Sequence, residues 1–142
     1  MINTNELRLG NYVTDEWNSS RYLVESINVK GIDLEIEDDG NYPECASMWI
    51  EATIKSEEIF GIPLTEDLLL KYGFELEDEG GLSAEYCNGC ISVVFDAADI
   101  ALRINSGDSY ICVFYDDPAF QHLHQLQNIY FALTGQELQI NL

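Results

Sequence analysis

The run Ile32-Asp33-Leu34-Glu35-Ile36-Glu37 alternates apolar and acidic residues without a break. A strand turns successive side chains to opposite faces. This period of two therefore puts Ile32, Leu34 and Ile36 on one face and Asp33, Glu35 and Glu37 on the other. Gly31 breaks the chain before the run, and Asp38-Asp39-Gly40-Asn41 reads as a turn after it. The same period returns at Ile100, Leu102 and Ile104. A chain patterned in this way builds sheets from short strands joined by polar turns.

The N-terminal part carries several such segments. Leu7 to Val13 begins a β-rich stretch, and Arg21 to Ile27 follows after the polar residues Asp15 to Ser20. A fourth strand is expected within Met48 to Ile54. Short strands with polar turns predict a small curled sheet of SH3-like type. Ile62 to Phe74 then carries a compact helix signal. Thr65 is the N-cap, Glu66 and Asp67 suit the positive end of the helix dipole, and Lys71 suits the negative end. Gly73 fits a left-handed position after the helix, with Phe74 closing over the last turn. Glu75 to Gly81 reads as an acidic connector.

The second half reads as an antiparallel meander. Leu82 to Cys87 pairs with Cys90 to Phe95, and the strand of Ile100 to Ile104 follows. Asn105-Ser106-Gly107-Asp108 turns into Ser109 to Tyr115. Asp117 as cap and Pro118 at the first helical position predict a final helix. Its apolar stripe is Phe120, Leu123, Leu126, Tyr130 and Leu133, and Gly135 ends it. The expected fold is α+β. It has a β-rich N-terminal part, a short helix, an antiparallel β-meander and a packed C-terminal helix. One domain over 1–142 is expected, with 1–58 and 59–142 as the alternative division.

Charge narrows the function classes. Asp and Glu number 26 and Lys and Arg only 6, a formal net charge of -20 on 142 residues. After Lys71 the only basic residue is Arg103. Contact with DNA, RNA or an anionic membrane needs cationic surface, so direct binding to these is not expected and a basic protein is the expected partner. With 46% hydrophobic residues the chain can form a core despite its charge. No apolar run approaches the ~18 residues that span a bilayer. The first residues lack a basic region followed by an apolar run, so no signal peptide is expected. Four cysteines in such a chain are expected as reduced thiols in the cytoplasm.

Motifs that carry chemistry are sparse. Tyr86-Cys87-Asn88-Gly89-Cys90-Ile91 contains Cys-x-x-Cys, but Asn-Gly between strand-like flanks is a strong hairpin signal. In that reading Asn88-Gly89 is the turn, and Cys87 and Cys90 face each other. A structural zinc site needs four ligands, and the other cysteines, Cys45 and Cys112, stand singly. Cys112 is expected as a buried thiol within an apolar strand. A redox Cys-x-x-Cys would open a helix. His122 and His124, at i and i+2 of a helix, are expected to point to different faces, exposed or half-packed. Asp96 with Asp99 and Asp116 with Asp117 are carboxylate pairs of the kind an acidic chain contains by chance. No catalytic residue, metal or cofactor is assigned. The candidate partner-binding residues are Asp33, Glu35, Glu37, Asp38, Asp39, Glu75, Glu77, Asp78 and Glu79.

Three segments carry a resemblance. They are Glu6-Leu7-Arg8-Leu9-Gly10-Asn11-Tyr12-Val13, then Gly61 to Glu75 (GIPLTEDLLLKYGFE), then His124 to Leu138 (HQLQNIYFALTGQEL). They resemble a group of small uncharacterised bacterial and prophage proteins. The resemblance implies a phage-related origin and one fold along the whole chain, and it carries over no catalytic residue. The expected function is a non-enzymatic acidic binder, acting as a phage-encoded inhibitor of a nucleic-acid-handling defence protein of the anti-CRISPR or anti-restriction type. The alternatives are a generic accessory or structural module of a phage or mobile element, and a metal-dependent enzyme.

Overall fold

A computed structural model describes residues 2–14, 21–28, 31–36, 52–54, 59–81, 83–96, 99–107, 109–115 and 120–139. The fold is α+β, with a β-meander and a C-terminal helix. The chain divides into two compact units, Met1–Ile62 and Pro63–Leu142.

The first unit is a five-stranded antiparallel sheet. A 3-10 turn at Thr4–Glu6 leads to β1 (Tyr12–Thr14), β2 (Arg21–Asn28), β3 (Gly31–Ile36), β4 (Ala52–Ile54) and β5 (Phe60–Gly61). The strand order is β4-β3-β2-β1-β5. The last strand thus pairs with the outer side of the first. Ile2, Val13, Val24, Ile32 and Ile59 form its core, with Leu7 and Tyr22 packed against them. The extended stretch expected from Leu7 starts only at Tyr12. Arg8 to Asn11 is a turn instead, closed by the Asn11 amide on the Arg8 carbonyl at 3.1 Å. Gly10 has φ 83° at the position where a type II turn needs positive φ. The Asn11 side chain, fully buried, accepts from the Arg8 amide at 2.7 Å.

The second unit begins with α1 (Glu66–Lys71). The Thr65 hydroxyl accepts from the Leu68 amide at 3.2 Å, as an N-cap does. At the other end the Gly73 amide reaches the Leu70 carbonyl and the Phe74 amide reaches the Leu69 carbonyl. With Gly73 at φ 76°, this is a Schellman ending. Phe74, buried, closes it.

A five-stranded antiparallel meander follows: β6 (Glu75–Gly80), β7 (Ser83–Asn88), β8 (Ile91–Asp96), β9 (Asp99–Ser106) and β10 (Ser109–Tyr115), paired in chain order. Gly81, Gly89 and Gly107 each take the first place of a two-residue loop with φ between 61° and 65°. That matches the positive φ of primed hairpin turns. The expected connector at 75–81 is instead the strand β6 over Glu75–Gly80, with Gly81 in its hairpin loop. Its carboxylates do not prevent pairing, because an edge strand keeps its side chains in water.

One face of the meander is apolar. Tyr86 lies opposite Val93, Val93 opposite Leu102, and Leu102 opposite Phe114. Tyr86, Val93 and Leu102 are buried. This face meets the helical elements. The Tyr86 hydroxyl donates to Glu66 of α1 at 2.7 Å, and the Phe114 ring stacks on Phe120 at 5.5 Å. The last helix, α2, spans Leu123–Thr134. It starts later than Asp117-Pro118, which lie outside the described residues. The reason is local. Gln125 turns its side chain back and accepts from the amides of Gln121 and His122, both at 2.9 Å, so the cap falls at His122. The Leu64 amide also holds the Gln121 carbonyl at 2.9 Å, keeping that residue extended.

The stripe of α2 is only half buried. Phe120, Leu123 and Leu126 are fully buried, whereas Leu133 is 45% exposed. The packed part of the helix ends near Gln127, so the stripe outruns the surface available to cover it. Leu126→Ala should cost about 2–5 kcal/mol through the cavity it leaves. Leu133→Ala should stay within about 0.5 kcal/mol, as surface changes do. Urea unfolding of the two variants checks this, and equal losses would contradict the helix placement.

Candidate acidic binding surface

The six described residues among the nine candidate binding residues fall in two places. Asp33 and Glu35 lie on β3, an inner strand of the first sheet, with Asp33 opposite Ser26 and Thr53 and Glu35 opposite Leu23. Glu37, Asp38 and Asp39 lie outside the described residues. Glu75, Glu77, Asp78 and Glu79 are exposed on β6, the outer strand of the second sheet. The two groups belong to different units.

β6 is irregular where its charge is densest. The register shifts between Leu76 and Asp78, which leaves Glu77 as the extra residue of a bulge. Asp78 then stands directly opposite Glu85 of β7. Like charges in that position destabilise a ladder by a few tenths of a kcal/mol to about 1 kcal/mol. Alternation from Glu75 puts Glu77 on the polar face, and the bulge brings Asp78 to the same face; the Glu77 carboxylate there accepts the Cys87 thiol at 2.6 Å.

That polar face forms an open concavity of about 570 Å3, walled by Glu77, Glu85, Cys87, Asn105 and Tyr110 among others. Asn105 donates to Ser92 at 3.3 Å. Arg103 reaches across the intervening strand to Glu85 at 3.2 Å, and its guanidinium lies 4.5 Å from the centre of the Tyr110 ring. On the intervening strand Ser92 stands opposite Arg103 and Val94 opposite Glu85 on this face. Two residues of the concavity's wall, Glu85 and Tyr110, thus already flank Arg103. Glu85, Asn105 and Tyr110 were absent from the sequence-based candidates. The available signal was Arg103 itself, the lone cation after Lys71, which must find a carboxylate or stay in water.

The Cys87–Cys90 segment is a hairpin, but in another register from the one expected. Asn88 pairs with Ile91, Cys87 pairs with Ser92, and the loop is Gly89-Cys90. Both registers differ by two residues and keep the same faces, so the apolar pattern does not choose between them. Asn88 does, by donating from Nδ2 to the Tyr72 carbonyl at the end of α1, at 3.3 Å. Cys87 and Cys90 therefore do not face each other. Burial, the hydrogen bond to Glu77 and the charges of Glu77 and Glu85 push the Cys87 thiol up to about 12. It stays protonated near neutrality, and a protonated thiol is neither a nucleophile nor a good metal ligand. Cys112 is exposed rather than buried, because β10 is an edge strand. Asp96 and Asp99 face each other at the mouth of their hairpin, and Asp116 and Asp117 lie outside the described residues. Among the described residues no three His, Cys, Asp or Glu side chains are grouped to hold a metal ion.

The histidines also depart from expectation. His122 is the cap rather than a helical residue, so its ring lies 5.8 Å from that of His124 instead of on another face. His124 is 1% exposed. Burial, and then the neighbouring His122, lower its pKa to about 4.

Two predictions follow from these groups. Replacing Cys87 and Cys90 with Ser should shift stability by no more than about 1 kcal/mol, since a hydroxyl can also donate to Glu77. Stoichiometric zinc in the native protein, with unfolding on chelation, would overturn this. For His124, the unfolded chain takes up a proton near 6.5 and the folded chain only near about 4. Stability from this group is intact above 6.5 and is lost as pH falls towards 4, reaching about 3 kcal/mol. His124→Gln should remove that loss, seen as a smaller gap to wild type at pH about 4.5 than at pH about 7.5. An unchanged gap would show that the imidazole titrates normally in the fold.

No helix among the described residues is long and apolar enough to cross a membrane. Compared with protein-family models, curated proteins and solved structures, the chain matches none.

Proposed function

We propose that the chain is a non-enzymatic acidic binder that docks on a basic protein through the β6 edge and the concavity beside it. The observation that carries this reading is the four exposed carboxylates of β6 at positions 75, 77, 78 and 79. Over four strand intervals of roughly 3.3 Å, with three gaps between them, they average about one charge every 4–5 Å along the strand. The phosphates of one nucleic-acid strand advance by about 3.4 Å each. A strand edge of this kind offers a basic groove a row of charges spaced about 1 Å wider than the phosphates of its usual ligand. The partner class is therefore a nucleic-acid-handling protein, and the specific form of the proposal is a phage-encoded inhibitor of a defence effector, anti-CRISPR or anti-restriction in type, acting in the host cytoplasm. The acidic positions of β3 and those that follow it in the sequence would add to the field that draws in such a partner.

A second reading rests on the place of β6 at the sheet edge. Charged edge strands deter sheet-to-sheet association, and this purpose alone would account for the four carboxylates. The chain would then be an accessory or structural module.

Reversing Glu75, Glu77, Asp78 and Glu79 to Lys separates the two. The fold should survive, because exposed edge strands tolerate lysine. Partners captured from host lysate should be basic, and their binding should weaken with rising salt, mainly through slower association. The reversal should slow association about tenfold or more. A parallel reversal of Asp33, Glu35 and Glu37 measures the share of the first unit. Partners that are not basic, or reversals that bind like wild type, would leave the accessory-module reading in place.

A further inference from the structure

The two edges of the second sheet are chemically opposite. β6 carries four carboxylates, whereas β10 reads Ser-Tyr-Ile-Cys-Val-Phe-Tyr and carries no charge. Among the described residues no strand pairs with the outer side of β10. Tyr110 is 58% exposed, Ile111 67% and Val113 42%, and Cys112 is exposed as well. Natural edge strands are usually guarded by charge, by proline or by covering elements. Here the guard is confined to β6, apart from a bulge in β10 between Cys112 and Phe114.

We propose that the free edge of β10 pairs antiparallel with β10 of a second copy of this chain, joining the two meanders into one continuous sheet. Charge argues for this occupant. A chain at -20 repels its own copies, so self-association is tolerated only where charge is absent. β10 meets that condition. It lies four strand spacings, roughly 19 Å, from the carboxylates of β6, more than twice the screening length of ~8 Å at physiological salt. A basic partner gains nothing from an uncharged edge and is drawn to β6 instead. Pairing of a strand with its own copy is two-fold symmetric, so one patch serves both sides. It satisfies the outward backbone groups of β10 and covers Tyr110 and Ile111. The docking edge of β6 stays free at each end of the joined sheet.

The remaining negative charge, including Asp108 and Asp116 at either end of β10 in the sequence, still opposes association. Self-pairing should therefore strengthen as salt screens that repulsion, opposite in sign to binding of a basic partner, so that either proposal can fail without the other. Sedimentation of the full chain over a range of concentrations should show a dimer whose dissociation constant falls with added sodium chloride. Ile111→Lys should raise that constant at least tenfold. Lysine makes the chain less negative, so a weaker dimer would report lost strand pairing and not added repulsion. Hydrogen exchange should show concentration-dependent protection of β10 amides in wild type. A monomer at every concentration and salt, a dimer indifferent to Ile111→Lys, or protection that appears at β6 or nowhere would overturn the proposal.

Discussion

Burial of one face of the second meander governs much of what the second unit displays. Tyr86, Val93 and Leu102 stand in a row across three strands, and Phe114 extends it to the fourth. Withdrawing each such side chain from water contributes about 1.5–3 kcal/mol. Because side chains alternate, a slip of one residue would turn this row to solvent and bring charge inward. Burying this face therefore sends Glu85, Cys87, Arg103 and Asn105 to the opposite one. The polar concavity is the reverse side of the core.

The same alternation leaves the edges to be decided by composition. β6 and β10 are equally outer strands, but one is covered in carboxylate and the other is apolar on both faces. Charge at an edge sets what approaches it. In the proposed reading, Coulomb attraction brings a basic partner to β6 and leaves β10 to an uncharged edge. The β10 bulge at Val113 confines regular pairing to the first half of that strand. Separation of the two edges by the width of the sheet lets each surface act with little influence on the other.

Local chemistry made several elements legible in advance. α1 could be read residue by residue, because Thr65, Gly73 and Phe74 act within one turn of the chain. The strands of the meander could be read from their period of two and their glycines. The last helix was displaced because Asp117-Pro118 is a strong local start signal, whereas the start at Leu123 depends on Gln125 folding back and on Leu64 holding Gln121 from far along the sequence. Leu133 was misplaced for a related reason. A stripe shows which face of a helix is apolar, and it does not show how far the surface beneath extends. The carboxylates of β6 were legible as acidic residues, but their place on a strand edge was not, since a run of charge looks like a connector.

The sequence by itself determined the α+β class, the period-two strands, the caps of the first helix and a strongly negative net charge. These follow from interactions between near neighbours or from counting. Only the tertiary structure decided the register of the Cys87–Cys90 hairpin, because two pairings share the same faces and a hydrogen bond from Asn88 to Tyr72 selects one. It alone set Arg103 between Glu85 and Tyr110, and it alone made β10 an open edge. Contacts between residues distant along the chain depend on strand order and register, and the pattern of a single strand holds neither.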